Sequence, residues 1–386
     1  MEFISRLFEP PRYSYYLFGP RGTGKSAWAI RYYVDSVRID LLQPHIFRRY
    51  RGRPERIIDT VRAEPEGKTI IIDEVQMVPA ILSAVHALIE EKKGWIFVLT
   101  GSSSRKLKQA GVDLMAGRAV VRTLHPFMAA ELGAKFSLDT ALTCGMLPLV
   151  LDAENPKDVL NSYIDIYMRE EIQMEGLVRN LEGFSRFLES ITFSHGQVLN
   201  VSNVARDCEV GRKTVEGYFS VLEDLLLCFQ LPVFSKRTGR ATVQHRKFYL
   251  FDSGIYRSLH PAGPLDKPEE IAGPALEGLV AQHLRAWTAY TENNCKLFYW
   301  RTRAGSEVDF IIYGSDMFCA IEVKHSDRIH RPDLRGLKAF KDDYPEAQSI
   351  LLYRGSEKQM VDDILCVPCE EFLRRLHPSR PFPFLL

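Results

Sequence analysis

A chain of 386 residues, 46% hydrophobic and 26% charged, reads as a soluble globular protein of two or three domains. Its 50 basic and 49 acidic residues nearly cancel, so any charged partner must be met by a local patch and not by the surface as a whole. No apolar run approaches the ~20 residues of a membrane span, the first residues lack the basic-then-apolar build of a signal peptide, and the seven cysteines are scattered. A cytoplasmic location with reduced thiols and no membrane contact is expected.

In chain order, "YSYYLF" from Tyr13 predicts a strand and "SAWAIRYYV" a helix. Between them stands Gly19-Pro20-Arg21-Gly22-Thr23-Gly24-Lys25-Ser26, a complete P-loop pattern in its strand–loop–helix setting. Glycines let backbone N–H groups converge on phosphate oxygens, and the helix N-terminus adds partial positive charge. Lys25 is expected to reach the β- and γ-phosphates of ATP, and Ser26 to hold Mg²⁺.

Next come "VRIDLL", a strand, and "FRRYRGRPERI", where Arg48, Arg49, Arg51, Arg53 and Arg56 face a single acid, Glu55. Such a segment is either a solvated face or a patch that meets phosphate backbone. "RPERIIDTVR" predicts a helix. "KTIIIDEVQ" is an apolar strand ending in two carboxylates: Asp73 fits the Mg²⁺ ligand, and Glu74 the base that orients the attacking water. After the helix "PAILSAVHALIEE", the strand "WIFVLT" ends in hydroxyls. Thr100, Ser102 and Ser103 are candidate sensors of the γ-phosphate, although Ser103 or Ser104 would serve equally as a helix cap. Arg118 in "LMAGRAVV" is a candidate finger reaching a neighbour's nucleotide, or an exposed arginine before a strand. The alternation implies a parallel sheet with crossover helices, with the phosphate loop and Asp73–Glu74 at the C-terminal edges of neighbouring strands.

Lys135 to about Leu151 reads as a short link with a turn at "CGMLP". From Pro156 the pattern turns helical. Asn203–Cys208, a turn at "EVG", and a second helix from Lys213 give a helix–turn–helix. The basic segment "SKRTGRATVQHRK", holding Lys236, Arg237, Arg240, Arg246 and Lys247, follows as a hairpin. That is a winged-helix plan, with two ordinary packed helices as the alternative. Cys366 and Cys369 form a single C-x-x-C, too little for a tetrahedral zinc site, and are read as half-buried thiols.

Near the C-terminus, "GPALEGLVAQHLRAW" is a helix carrying Glu277. The strands "KLFYWRT", "GSEVDFIIY" and "CAIEVKHS" follow, with Asp309 on the second and Glu322 and Lys324 on the third. Residues two apart on a strand share a face, so Glu322 and Lys324 project together and Asp309 can join them from the hairpin partner. Two carboxylates there suit Mg²⁺ or Mn²⁺, and the lysine a water or a developing phosphorane charge.

The set Glu277, Asp309 and Glu322-x-Lys324 resembles the PD-(D/E)XK, or restriction-endonuclease-like, nuclease core. Over nearly its whole length the chain resembles a prokaryotic family of AAA+ type P-loop ATPases with such a C-terminal domain. The matching stretches are "GPRGTGKS", "IIIDEVQMVP", "LTGSSSRKL", "MAGRA", "LHPF", "FDSGIYRSL", "LEGLV", "EVDFII" and "IEVK". It departs at "MREEI", where Arg169 precedes Glu170 in place of the family's arginine–aspartate pair.

The resemblance implies an α/β protein: a P-loop NTPase parallel sheet (residues 1–134), a helical linker or lid (135–195), a winged-helix-like region (196–260) and an α/β restriction-endonuclease-like domain (261–386). ATP turnover would use Lys25, Ser26, Asp73 and Glu74, and metal-dependent DNA cleavage Glu277, Asp309, Glu322 and Lys324. DNA and further copies of the chain are the expected partners. A non-cutting DNA clamp and a switch acting on a protein partner are the alternatives.

Overall fold

In the computed structural model, which describes residues 3–102, 107, 119–168, 180–235, 245–261, 263 and 267–384, the chain divides into two units. One comprises Phe8–His125 with Leu222–Leu227. The other comprises Met1–Leu7, Pro126–Val221 and Cys228–Leu386.

The first unit is built on strands β1 (Tyr15–Phe18), β2 (Ser36–Asp40), β3 (Thr69–Asp73), β4 (Ile96–Gly101) and β5 (Val120–Thr123). They run in the order β2-β3-β4-β1-β5, every neighbouring pair parallel. Helices α1 (Lys25–Tyr32), α2 (Pro44–Gly52), α3 (Arg56–Arg62) and α4 (Ile81–Glu90) supply crossovers. Tyr16, Phe18, Ile70, Ile72, Leu88, Phe97 and Leu99 belong to one buried cluster, as expected of a parallel sheet covered by helices.

Two details differ from the sequence reading. β1 and β3 are not neighbours, because β4 runs between them, and so Thr100 stands between the phosphate loop and Asp73. The basic segment after β2 begins as a helix, α2, opened by Pro44 at its first turn. Ile46, Phe47 and Tyr50 turn to the core and leave Arg48, Arg49 and Arg51 exposed on the other side.

In the second unit, the stretch read as a short link contains the helices Leu138–Cys144 and Pro148–Leu151. The Ser137 side chain caps the first of these, and a proline opens the second. Then come α5 (Leu181–Thr192), β6 (Gln197–Val198), α6 (Val201–Asp207), α7 (Arg212–Asp224), β7 (Cys228–Leu231) and β8 (Lys247–Leu250). The strands form a three-stranded sheet, β6-β8-β7, with β6 before the helix pair and β7 and β8 after it.

The remainder comprises α8 (Ser253–Leu259), α9 (Pro268–Tyr290), β9 (Lys296–Arg301), β10 (Glu307–Tyr313), β11 (Phe318–Val323), α10 (Arg335–Asp343), β12 (Gln348–Tyr353), β13 (Gln359–Val361), β14 (Ile364–Pro368) and α11 (Cys369–Arg375). Its six-stranded sheet runs β13-β14-β12-β11-β10-β9, parallel from β11 through β12 to β14 and antiparallel at both edges. Trp300, Ile311, Ala320, Leu337, Phe340 and Leu351 pack together over one face. Cys366 and Cys369 are fully buried here, not half-buried, and burial pushes their thiols up to about 11 and about 12. Among the described residues no helix is long and apolar enough to cross a membrane.

Candidate functional site

Between β1 and α1 the chain turns back on itself through two left-handed glycines, Gly22 at φ 81° and Gly24 at φ 82°. Gly19 is held to a hydrogen for a different reason: a Cβ there would lie 2.4 Å from the Leu124 carbonyl oxygen. Thr23 closes the turn, its hydroxyl donating to the Pro20 carbonyl at 2.8 Å. Pro20 is buried and Arg21 exposed at the mouth. Buried Lys25 donates to the carbonyls of Gly19 (2.7 Å) and Pro20 (3.1 Å), so its ammonium already sits within the loop that phosphate would enter.

One residue on, the Ser26 hydroxyl donates to Asp73 Oδ1 at 2.9 Å. Thr100, from the intervening β4, donates to the same oxygen and accepts the Glu74 N–H at 3.2 Å. The Ser26 hydroxyl and Asp73 carboxylate are hard oxygen donors beside the phosphate loop, and they fit Mg²⁺.

Glu74 leaves β3 in the left-handed region, φ 57° and ψ 50°, a conformation that few non-glycine residues hold. Its carboxyl is pushed above the usual range, chiefly by burial and in part by the Asp73 charge, while Lys25 pulls the other way. Gln76 was not singled out from the sequence. Its amide donates to Glu74 Oε2 and, at 3.3 Å, to the Ser102 hydroxyl. Gln76 Oε1 is buried without a partner against Gly101, whose Cβ would lie 2.4 Å away. The signal for Gln76 is its place two residues after Glu74, where the chain has left the strand. Ser103 and Arg118 lie outside the described residues, as do Arg169 and Glu170.

The second constellation gathers in the other unit. Phe310 pairs with Ile321 across β10 and β11, which puts Asp309 and Glu322 at the next rung. A register shift between Val308 and Ile311 bulges β10 at this point, a common device for re-aiming a side chain. Asp309 Oδ2 accepts the Val323 N–H at 3.0 Å, and Glu322 Oε1 accepts from Lys324 Nζ at 2.6 Å. Glu322 Oε2 is buried without a partner. Glu277 arrives from α9.

The hub of this cluster is Lys247. Expected on an exposed basic hairpin, it is 1% exposed and lies on β8. Its Nζ stands 2.7 Å from Glu277 Oε1, 2.7 Å from Glu307 Oε1 and 2.9 Å from Asp309 Oδ1. Tyr249, two residues on and so on the same strand face, donates to Glu277 at 2.6 Å. Arg301 holds the other oxygen of Glu307 at 3.2 Å. Burial alone would pull the Lys247 pKa down, but Asp309 and Glu277 carry it well above its ordinary value. Burial, and then the Asp309 charge, raise both Glu277 and Glu322. Sequence reasoning missed Lys247 and Glu307. The signal was in "KFYLF", where the last charge of a basic run opens a fully buried strand, and in "EVDF", where Glu307 and Asp309 alternate.

A divalent ion does not fit this arrangement as it stands. It needs oxygens from Asp309 and Glu322, yet Asp309 is committed to Lys247 and to a backbone N–H, and Glu322 keeps one free oxygen. Among the described residues, with the lysines in place, no group of three His, Cys, Asp or Glu side chains is set to hold a metal ion. In this structure Asp309 and Glu322 pair instead with Lys247 and Lys324.

Comparison with known proteins divides the chain into three. Residues 11–133 match the family profile described as an AAA domain, 135–266 a domain of unknown function (DUF8612), and 272–372 a second domain of unknown function (DUF4143). An uncharacterized protein of Mycobacterium tuberculosis, Rv2008c, and one of Mycobacterium bovis, Mb2031c, are each 24% identical over 313 residues, covering 79% of this chain and 69% of theirs.

Among solved structures, the Thermotoga maritima RuvB Holliday junction branch migration motor aligns at 14% identity over 57% of this chain and 82% of its own, with a TM-score of 0.28. Protein VC1899 from Vibrio cholerae aligns at 11% identity over 84% and 93%, with a TM-score of 0.22. Likeness at these scores bears on neither site nor function. The family match and the phosphate-loop geometry together make residues 11–133 an AAA-type P-loop ATPase domain.

Proposed function

We propose that the chain hydrolyses ATP at the P-loop site and engages DNA, with a C-terminal domain that holds and does not cut. The observation that carries the first part is the Ser26–Asp73 hydrogen bond, which unites two motifs at one edge of the parallel sheet. The loop N–H groups and the α1 N-terminus would receive the β- and γ-phosphates, and Lys25 would exchange its loop carbonyls for phosphate oxygens. Ser26 and Asp73 would hold Mg²⁺, which when bound neutralises charge on the phosphate oxygens. Glu74, oriented by Gln76 and the Thr100 hydroxyl, aligns a water on the γ-phosphorus and accepts its proton as the bond to ADP breaks.

The DNA part rests on the exposed arginines of α2 and the turn after it. Arg49 and Arg51 lie over the rings of Tyr50 and Phe47 at 5.4 Å each, which spreads their guanidinium groups across an outward face free for phosphates. The non-cutting role follows from Lys247 among the carboxylates. A neighbour's arginine completing the ATP site in a homo-oligomer rests on Arg118.

Incubating the purified chain with plasmid and Mn²⁺, with and without ATP, tests the reading. Phosphate release that Glu74→Gln removes, together with DNA binding and intact plasmid, is the expected result. Nicked or linear plasmid, lost in Asp309→Asn, returns the C-terminal domain to nuclease chemistry. Turnover without DNA binding leaves a switch acting on a protein partner.

A further inference from the structure

We infer that Lys247 is the resident cation of the C-terminal carboxylate cluster, a built-in ammonium in the place a divalent ion would need, and that removing it opens a metal site that the native chain keeps closed. The inference rests on the cluster alone and is independent of the ATPase assignment.

The geometry is that of a ligand shell. Three carboxylate oxygens, from Glu277 on α9 and from Glu307 and Asp309 on β10, stand within 2.9 Å of one nitrogen. An ammonium has three N–H donors, and here there are three acceptors for them. Mg²⁺ and Mn²⁺ take oxygen ligands at about 2.1 Å, and larger ions at about 2.3–2.6 Å, so a modest contraction of the same three oxygens would ligate an ion at that point. The two occupants exclude each other, because a divalent ion and an ammonium cannot share one centre.

Charge balance points the same way. The cluster holds four carboxylates, Glu277, Glu307, Asp309 and Glu322, against three cations, Lys247, Lys324 and Arg301. With Lys247 present, a divalent ion would leave excess positive charge in a buried space. Without it, the carboxylates lose the cation at their centre, and a divalent ion would supply positive charge in its place. Glu322 Oε2, buried and without a partner, is a further donor for an ion in that state. Lys247 also does what a free ion cannot: as part of β8 it ties the β6-β8-β7 sheet to α9 and β10.

The test is to count Mn²⁺ bound by the nucleotide-free full-length chain, from the loss of the free Mn²⁺ paramagnetic resonance signal. Each protein is compared with its Asp309→Asn derivative, so that ions held elsewhere cancel. Wild type and Asp309→Asn are expected to bind the same number. Lys247→Met should bind one ion more than Lys247→Met/Asp309→Asn. A native ion lost in Asp309→Asn overturns the inference, and so does a folded Lys247→Met that gains none. If circular dichroism shows Lys247→Met unfolded, the wild-type and Asp309→Asn pair still decides between a closed and an open site.

Discussion

The Ser26 hydroxyl donates to the Asp73 carboxylate across 2.9 Å, although 47 residues separate the two in the chain. The contact joins the phosphate loop to the end of β3 past an intervening strand, and Thr100 on that strand is bonded to the same carboxylate. Two strand ends and the first turn of α1 thus meet at one prospective metal ligand. Asp73→Asn keeps the shape and removes the charge. The Mg²⁺ concentration for half-maximal ATP hydrolysis should rise by ~10-fold or more, since a neutral amide oxygen is a much weaker ligand for a hard dication. A Mg²⁺ titration of phosphate release measures this, and an unmoved midpoint takes Asp73 out of the metal's shell.

Lys25→Ala and Glu74→Gln separate binding from chemistry. Losing the Lys25 ammonium removes the cation of the phosphate cradle, so fluorescent ATP analogues should no longer bind at micromolar concentration. Glu74→Gln leaves the cradle intact, and ATP should bind about as in wild type while turnover falls roughly 10²- to 10⁴-fold, the usual worth of a positioned base. Native turnover in Glu74→Gln would move the base elsewhere.

The ATPase end of the molecule was more legible in sequence than the C-terminal end, for a physical reason. A phosphate loop is contiguous: its glycine, lysine and serine act through local backbone, so spacing alone locates Gly19, Gly24, Lys25 and Ser26. Asp73 and Glu74 end a continuous apolar strand and are equally visible. What spacing does not give is strand order, and placing β1 beside β3 overlooked β4 and with it the reach of Thr100. The C-terminal cluster is assembled from α9, β8, β10 and β11, and its central charge comes from a run that reads as solvated. Only tertiary packing turns Lys247 inward, whereas Glu322 and Lys324, two apart at the end of β11, were predictable as a pair and are one. Helix α2 was hidden by its arginines, which mask the Ile46, Phe47 and Tyr50 stripe.

The α2 arginines give a prediction of their own. Replacing Arg48, Arg49 and Arg51 with glutamine should weaken binding to all DNA sequences alike, because phosphate contacts carry no base information. The slope of log affinity against log salt should fall by about 0.9 for each phosphate that is no longer neutralised. Fluorescence anisotropy at several salt concentrations reads both quantities, and an unchanged slope leaves these arginines as a solvated helix face.

Gln76 and Glu74 supply a pH-dependent test. Hydrolysis needs Glu74 as the carboxylate, so turnover falls as pH drops through its pKa, and burial has already raised that pKa above the value of a solvated glutamate. The amide of Gln76 donates to the carboxylate and favours the charged form, which holds the rise in check. Gln76→Met keeps the volume and removes the donor. The pKa must then move further up, and the acid limb of the kcat profile must shift to higher pH. Turnover should fall most at the acid end of the profile and much less at its alkaline end, because the base acts in its charged form. Gly101→Ala should produce the same asymmetry from the opposite side, because its Cβ would lie 2.4 Å from Gln76 Oε1 and drive the amide off Glu74. Steady-state phosphate release between pH 5.5 and 9 distinguishes the outcomes. A loss of equal size at every pH in both variants would make Gln76 a packing residue, with no hold on the charge of the base.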